Sequence, residues 1–149
     1  MHLGAASMLG ATGANASKNR IPGNYDVLTY SNEDLKEVSS IGFTVHNIVV
    51  SDPTIFTEEN IKEIKEKFHK NSLLIGNSRG RYGGGLVNPD ENIRKETITF
   101  VKNTCVVSAK IGCHSTYLRP GSINPNGPWQ PHPENHSDEV FERLINSTK

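Results

Sequence analysis

The chain has 149 residues, enough for one domain with a real core and too few for two domains of ordinary size. Its 16 basic and 16 acidic residues cancel, which argues against a long-range field that would recruit nucleic acid, an anionic membrane or an acidic partner. The only cysteines, Cys105 and Cys113, are too few for a disulfide framework and lack metal-finger spacing, so free thiols in a reducing compartment are expected.

The first twenty residues, MHLGAASMLGATGANASKNR, have neither a basic n-region nor a sustained apolar run, and no later segment has the composition of a membrane span. A soluble, cytoplasmic chain is the expectation. The sequons at Asn15, Asn135 and Asn146 carry weight only in a secreted protein and are read as chance.

Leu3 to Ser7 is a weak candidate for a first strand, and Met8 to Tyr30 has no period and many small residues, as in a long connection; residues 1–30 are read as a weakly structured start. Ser31 then offers an N-cap, with Glu33 and Asp34 in the first turn, Leu35 and Val38 on one face, and Gly42 as the stop. FTVHNIVV, Phe43 to Val50, is β-branched and bounded by Gly42 and Asp52-Pro53, which predicts a strand buried on both sides, with His46 a core histidine rather than a ligand.

The clearest helix follows Thr57. Ile61, Ile64 and Phe68 form its stripe, and Glu58/Lys62, Glu63/Lys67 and Glu66/Lys70 are pairs four apart on a solvated face. Leu73 to Asn77 predicts a third strand, followed by SRGRYGGG, whose glycines fit neither the dinucleotide nor the P-loop spacing. Asn88 as N-cap with Pro89 and Glu91 opens a second long helix, running to Gly112 and burying Ile93, Val101, Cys105 and Ala109 despite the strand-like Thr97 to Val101. Cys113 to Arg119 is the expected fourth strand. A long loop to Ser137 leads into a last helix with Val140, Phe141, Leu144 and Ile145 apolar. Four alternations of strand and helix predict parallel strands, in a doubly wound sheet or a barrel.

Two loops carry a resemblance. The run RPGSINPNGPW, Arg119 to Trp129, continuing through Pro131-His132-Pro133-Glu134-Asn135-His136, resembles the loop after the fourth strand in sugar phosphate isomerases and epimerases of the xylose-isomerase-like TIM-barrel group. The Asn77 to Tyr82 turn, with Asn88-Pro89-Asp90 opening a helix, is similar to the loop and helix after the third strand in the same proteins. The likeness runs from about Phe43 to Leu144, is poor before Asp26, and gives a single partial domain over 1–149 in which 43–149 matches best. It implies an α/β fold of four βα units, the amino-terminal half of a (β/α)8 TIM barrel. The fourth strand is more polar than an inner barrel strand, and Asn103-Thr104 interrupts its preceding helix with weak helix formers.

The resemblance also implies a chemistry. Such enzymes interconvert a ketose with its aldose or epimer by proton transfer next to a carbonyl, using a divalent metal ion and two carboxylates. Most of those groups come from later strands, so the catalytic bases have no counterpart in this chain. The substrate-facing candidates are Asn77, Arg79, Arg119, Asn124 and Trp129, because barrel sites gather at the carboxyl ends of strands. Arg119 suits a phosphate or carboxylate, the asparagines suit sugar hydroxyls, and Trp129 suits a sugar face. Each also has a plainer role: Arg119 tying the loop to an acidic neighbour, Asn124-Pro125 making a turn, Trp129 anchoring the loop. His132, Glu134 and His136 are weak metal candidates, since Pro133 keeps them off a common helical face.

Three readings follow: a sugar or sugar-phosphate isomerase or epimerase; a relative of the abasic-site endonucleases, disfavoured by the absence of a basic stripe; and a half-barrel that binds a ligand or a complementary carboxyl-terminal half without chemistry. The expected partner is a small sugar or sugar phosphate rather than nucleic acid or membrane. An open four-stranded sheet would expose two edges, so a homo-oligomer or pairing with a complementary half is expected.

Overall fold

The computed structural model describes residues 4–5, 26–83, 85–128 and 130–149. The predicted alternation is present, as strands β1 (Gly4–Ala5), β2 (Val45–Val50), β3 (Leu74–Gly80) and β4 (Thr116–Tyr117) and helices α1 (Asn32–Ser40), α2 (Glu58–Lys70), α3 (Glu91–Ile111) and α4 (Asp138–Thr148). The strands form one sheet in the order β1-β2-β3-β4, and each neighbouring pair is parallel. The described residues gather into two compact units: one reaches to Gly80 and includes Thr104–Tyr117, and the other comprises Arg81–Asn103 and Leu118–Lys149. Apart from Gly4–Ala5, the expected Leu3 to Ser7 strand lies outside the described residues.

The first unit holds the sheet and its helical cover. Along β2, His46, Ile48 and Val50 are buried, while Val45 and Asn47 on the other face are half-buried; Val49 is also buried, so only the carboxyl end of the strand is enclosed on both sides. Ile48 and Val50 meet Leu35 and Val38 of α1, Ile61, Ile64 and Phe68 of α2, and Val107 and Ile111 of α3 in one apolar cluster. Val27 and Tyr30 join it, so the chain just before α1 is core rather than connection. His46 lies between rings, its centroid 5.6 Å from Tyr30 and 6.3 Å from Phe68.

The caps read from sequence hold this cover in place. Ser31 accepts from the Asp34 N–H and Asp34 accepts from the Ser31 N–H, and Thr57 and Asn60 make the same reciprocal pair at α2. Of the three expected pairs, Glu63/Lys67 forms and two differ. Glu58 does not take Lys62 but bonds Lys110 near the end of α3 at 2.6 Å, and Glu66 takes Lys62 at 3.8 Å instead of Lys70.

Three boundaries are corrected. β3 runs three residues past Asn77 to Gly80, because the Ser78 and Arg79 backbones pair with both β2 and β4. β4 is only Thr116–Tyr117, shorter than the expected Cys113 to Arg119. α3 starts at Glu91, since Asn88 Oδ1 accepts from Asp90 N at 2.9 Å and makes a turn instead of capping a helix from Pro89.

The buried face of α3 is also rotated. Ile93, Cys105 and Ala109 are exposed, and the buried positions are Thr97, Thr104, Val107, Ser108 and Ile111. Hydroxyl residues can occupy that face because a helix backbone offers them carbonyls, as where Thr97 Oγ1 donates to Ile93 O at 2.8 Å. In the second unit, Thr97 also lies where a Cβ on Gly85 would strike its hydroxyl, so a small residue on each side allows the close approach. Leu86, Val87 and Val140 are buried there, and Ser147 Oγ of α4 donates to Leu86 O at 2.7 Å.

Candidate sugar-facing site

In the first unit, the carboxyl end of β2 is pinned by a residue that pattern reading passed over. Asp26 accepts from Leu28 N at 2.9 Å and from Ser51 N at 2.5 Å, which ties the chain before α1 to the first residue beyond β2. The Asp26 carboxylate is therefore occupied in structure.

Asn77, expected at the end of the third strand where its turn begins, lies in the middle of β3. The pairing of β2 with β3 shifts between His46 and Ile48, so that Gly76 and Asn77 together stand opposite Asn47. This bulge turns Asn77 toward its neighbours. Asn77 N donates to Asn47 Oδ1 at 2.8 Å, and Ser115 Oγ donates to Asn77 Oδ1 at 2.8 Å, an exposed polar run from β2 through β3 to the residue before β4. Neither Asn47 nor Ser115 carried a motif in the sequence; only their registers bring them here. Arg79 is two residues farther along, paired in register with Val49, and its Nε is buried. Its positive charge acts on the Tyr30 hydroxyl, whose pKa is pushed up chiefly by burial and also by Asp26, with Arg79 opposing.

In the second unit, Arg119 lies two residues beyond β4 and is held by a partner the sequence reading did not single out. Tyr82 Oη accepts from Arg119 N at 2.6 Å and donates to Arg119 O at 3.2 Å. The Arg119 guanidinium carbon stands 5.8 Å from the centre of the Tyr82 ring, a cation–π distance, and Tyr82 in turn lies 6.0 Å from the Phe100 ring on α3.

The loop after Arg119 is built mostly from its own side chains. Ser122 and Asn135 exchange bonds at 3.0 and 3.1 Å, and Asn135 Oδ1 also accepts from Ile123 N at 3.1 Å, which staples the two ends together. Asn124 spends both ends of its amide inside the loop, Nδ2 on Pro131 O at 2.8 Å and Oδ1 on Asn126 N at 2.9 Å. His132 Nδ1 accepts from Glu134 N at 3.2 Å and caps a short 3-10 turn, Pro133–His136, while Glu134 and His136 are exposed. Trp129 lies outside the described residues.

Among the described residues, no three of His, Cys, Asp and Glu converge to hold a metal ion, the trio His132, Glu134 and His136 included. The described side chains thus do not fit a divalent ion. No helix among the described residues is long and apolar enough to cross a membrane.

A surface depression reaches Asn47 and Asn77 from the other side. This open groove of about 830 Å³ lies at the amino ends of β2 and β3 and before β4, with Lys65, His69, Cys113 and His114 among its walls beside Asn47 and Asn77. Parallel barrels do their chemistry at the opposite, carboxyl ends, so size alone is a poor guide to the site. Burial pushes the Cys113 thiol up to about 11, against hydrogen bonds with Ser78 and Ser108.

The fold has solved counterparts. D-psicose 3-epimerase from Clostridium cellulolyticum H10, in crystals with D-tagatose, matches with a TM-score of 0.57 at 19% identity over 78% of this chain and 40% of its own. A D-tagatose 3-epimerase-like protein matches with a TM-score of 0.63 at 14% identity, over 99% of this chain and 46% of its own. The chain has the half-barrel fold of these epimerases. A 3-keto-D-glucoside 4-epimerase from E. coli matches this half-barrel with a TM-score of 0.57 at 16% identity, over 83% of this chain and 44% of its own. The half-barrel thus spans less than half the length of each of the three. The same fold also matches a Clostridium longisporum endoglucanase with a TM-score of 0.51 at 12% identity, so the architecture is wider than one chemistry. No protein-family model and no curated protein matches the sequence.

Proposed function

We propose that the half-barrel supplies the sugar-binding first half of a sugar or sugar-phosphate isomerase or epimerase. The observation that carries this reading is the set of epimerases with the same fold, together with arginines at or just beyond the carboxyl ends of two strands, Arg79 on β3 and Arg119 after β4. The reaction class removes a proton from carbon next to a carbonyl and returns it to the other face or the neighbouring carbon. That requires a fixed substrate.

Fixing it is what these side chains are suited to do. The Asn77 amide has its carbonyl turned to Ser115, and its N–H donors suit a sugar hydroxyl. Arg79 and Arg119 suit a phosphate, a carboxylate or a developing oxyanion. Asn124 and His132 orient loop backbone instead. The acid and base are assigned to residues beyond those of this chain, in keeping with the length it spans of its structural neighbours. The partner class is a small sugar rather than nucleic acid or membrane, in a reducing, cytoplasmic setting.

The test is reconstitution. The chain is mixed with the carboxyl-terminal four βα units of a D-psicose 3-epimerase and a divalent metal, and solvent deuterium entering a ketohexose at the carbon beside the carbonyl is followed by NMR. Exchange above either part alone supports the reading. Sugar binding without exchange would overturn the catalytic reading and leave a binding half.

A further inference from the structure

We propose that Tyr82 is a positioning residue that sets Arg119 as a reader of negative charge, so that the sugar bound by this chain carries a phosphate or a carboxylate. The inference rests on the sugar-binding reading above and sharpens its substrate class.

Arg119 follows a two-residue strand, where a backbone has few neighbours to define it. One hydroxyl supplies the definition: Tyr82 Oη takes the Arg119 N–H and donates to the Arg119 carbonyl, so both main-chain groups of a single residue are tied to a single side chain. The ring of that side chain also lies 5.8 Å from the guanidinium carbon, a distance at which an aromatic face steadies a cation. Phe100, 6.0 Å from Tyr82 on α3, braces the ring from the helix. Main chain and head group of Arg119 thus both meet one rigid, two-torsion residue. A planar fork so prepared loses less freedom on meeting a carboxylate or phosphate than a mobile one would, and charge-assisted bonds are the strong ones. A neutral hydroxyl would gain little from that preparation.

The experiment measures binding of three probes by calorimetry: D-fructose, D-fructose 6-phosphate and D-fructuronate. The native chain is expected to bind one of the charged sugars at least about tenfold more tightly than fructose, and which one identifies phosphate or carboxylate as the group read. Arg119→Gln should bring that ratio to about one. Tyr82→Phe keeps the ring and loses the hydroxyl; it should cut the ratio several-fold. Should Tyr82→Phe not fold, Arg119→Lys, which keeps the charge and loses the fork, serves in its place and should also lower the ratio. Equal binding of all three sugars by the native chain overturns the inference and leaves the sugar reading standing, as does a Tyr82→Phe loss that is the same for charged and neutral probes. Failure of all three to bind overturns both.

Discussion

Gly76 has no room for a side chain. A Cβ there would strike Asn47 Oδ1 and come within 2.9 Å of Val45 Cγ1, so Gly76→Ala must push Asn47 off the Asn77 N–H. We predict a loss of about 1–3 kcal/mol, read from urea midpoints, with partial recovery in the Gly76→Ala/Asn47→Ala double variant; strict additivity would show that the two do not share this bulge. Cys113 gives a pH-dependent counterpart. Its thiol is neutral in the fold up to about 11 against an ordinary 9.0, so its contribution to stability is full below pH 9.0 and is lost as the pH rises toward 11. The raised Tyr30 hydroxyl acts in the same direction. The drop in urea midpoint between about pH 8 and 10.5 should shrink in Cys113→Ala, and an unchanged drop would contradict the assignment. At this scale the sequence revealed residue types better than their employment. Asn124 looked like a sugar ligand and is a loop brace, while Tyr82 and Asn47 carried no signal because their roles depend on partners 37 and 30 positions away.

Helices α1 and α2 were legible because local chemistry decides them. Each has a reciprocal cap and a single apolar stripe, and Leu35, Val38, Ile61, Ile64 and Phe68 are all buried as the spacing required. Ser31→Ala and Thr57→Ala should each cost about 1 kcal/mol, the ordinary value of an N-cap, measured by thermal or urea unfolding. No change in either would mean that packing alone defines those starts. α3 was legible in length and not in rotation. Its two faces have similar apolarity, and the winning face is polar in composition, with Thr97, Thr104 and Ser108 buried beside Val107 and Ile111. Burial there follows from close approach, which favours small side chains over apolar ones. β4 was overestimated for a related reason: composition can propose a strand, but the extent of pairing depends on its neighbour, and β3 pairs only with Thr116 and Tyr117.

For the whole molecule, the parallel sheet has an outer edge at β1 and another at β4, and Leu74 and Tyr117 are more than half exposed on its strands, at 54% and 58%. Open edges and apolar surface together favour pairing with another chain, either a second copy or a complementary half. Light scattering behind size-exclusion chromatography should therefore show association that grows with concentration and weakens in Leu74→Lys; a monodisperse monomer throughout would refute this. Parallel pairing was accessible from alternation, and the half-barrel arrangement and the resemblance to sugar isomerases from two loops. The amino-end groove was not, since its walls come from α2, β3 and the residues before β4.

That groove provides the contrast for the central claim, that this half-barrel binds sugar at the carboxyl ends of its strands. The most direct measurement is a backbone and side-chain NMR titration of the full chain with D-fructose and D-fructose 6-phosphate. The account predicts saturable shifts at Tyr82 and at Arg119, just beyond the carboxyl end of β4. Shifts gathered instead at Lys65, His69 and His114, or no saturable shift with either sugar, would contradict it.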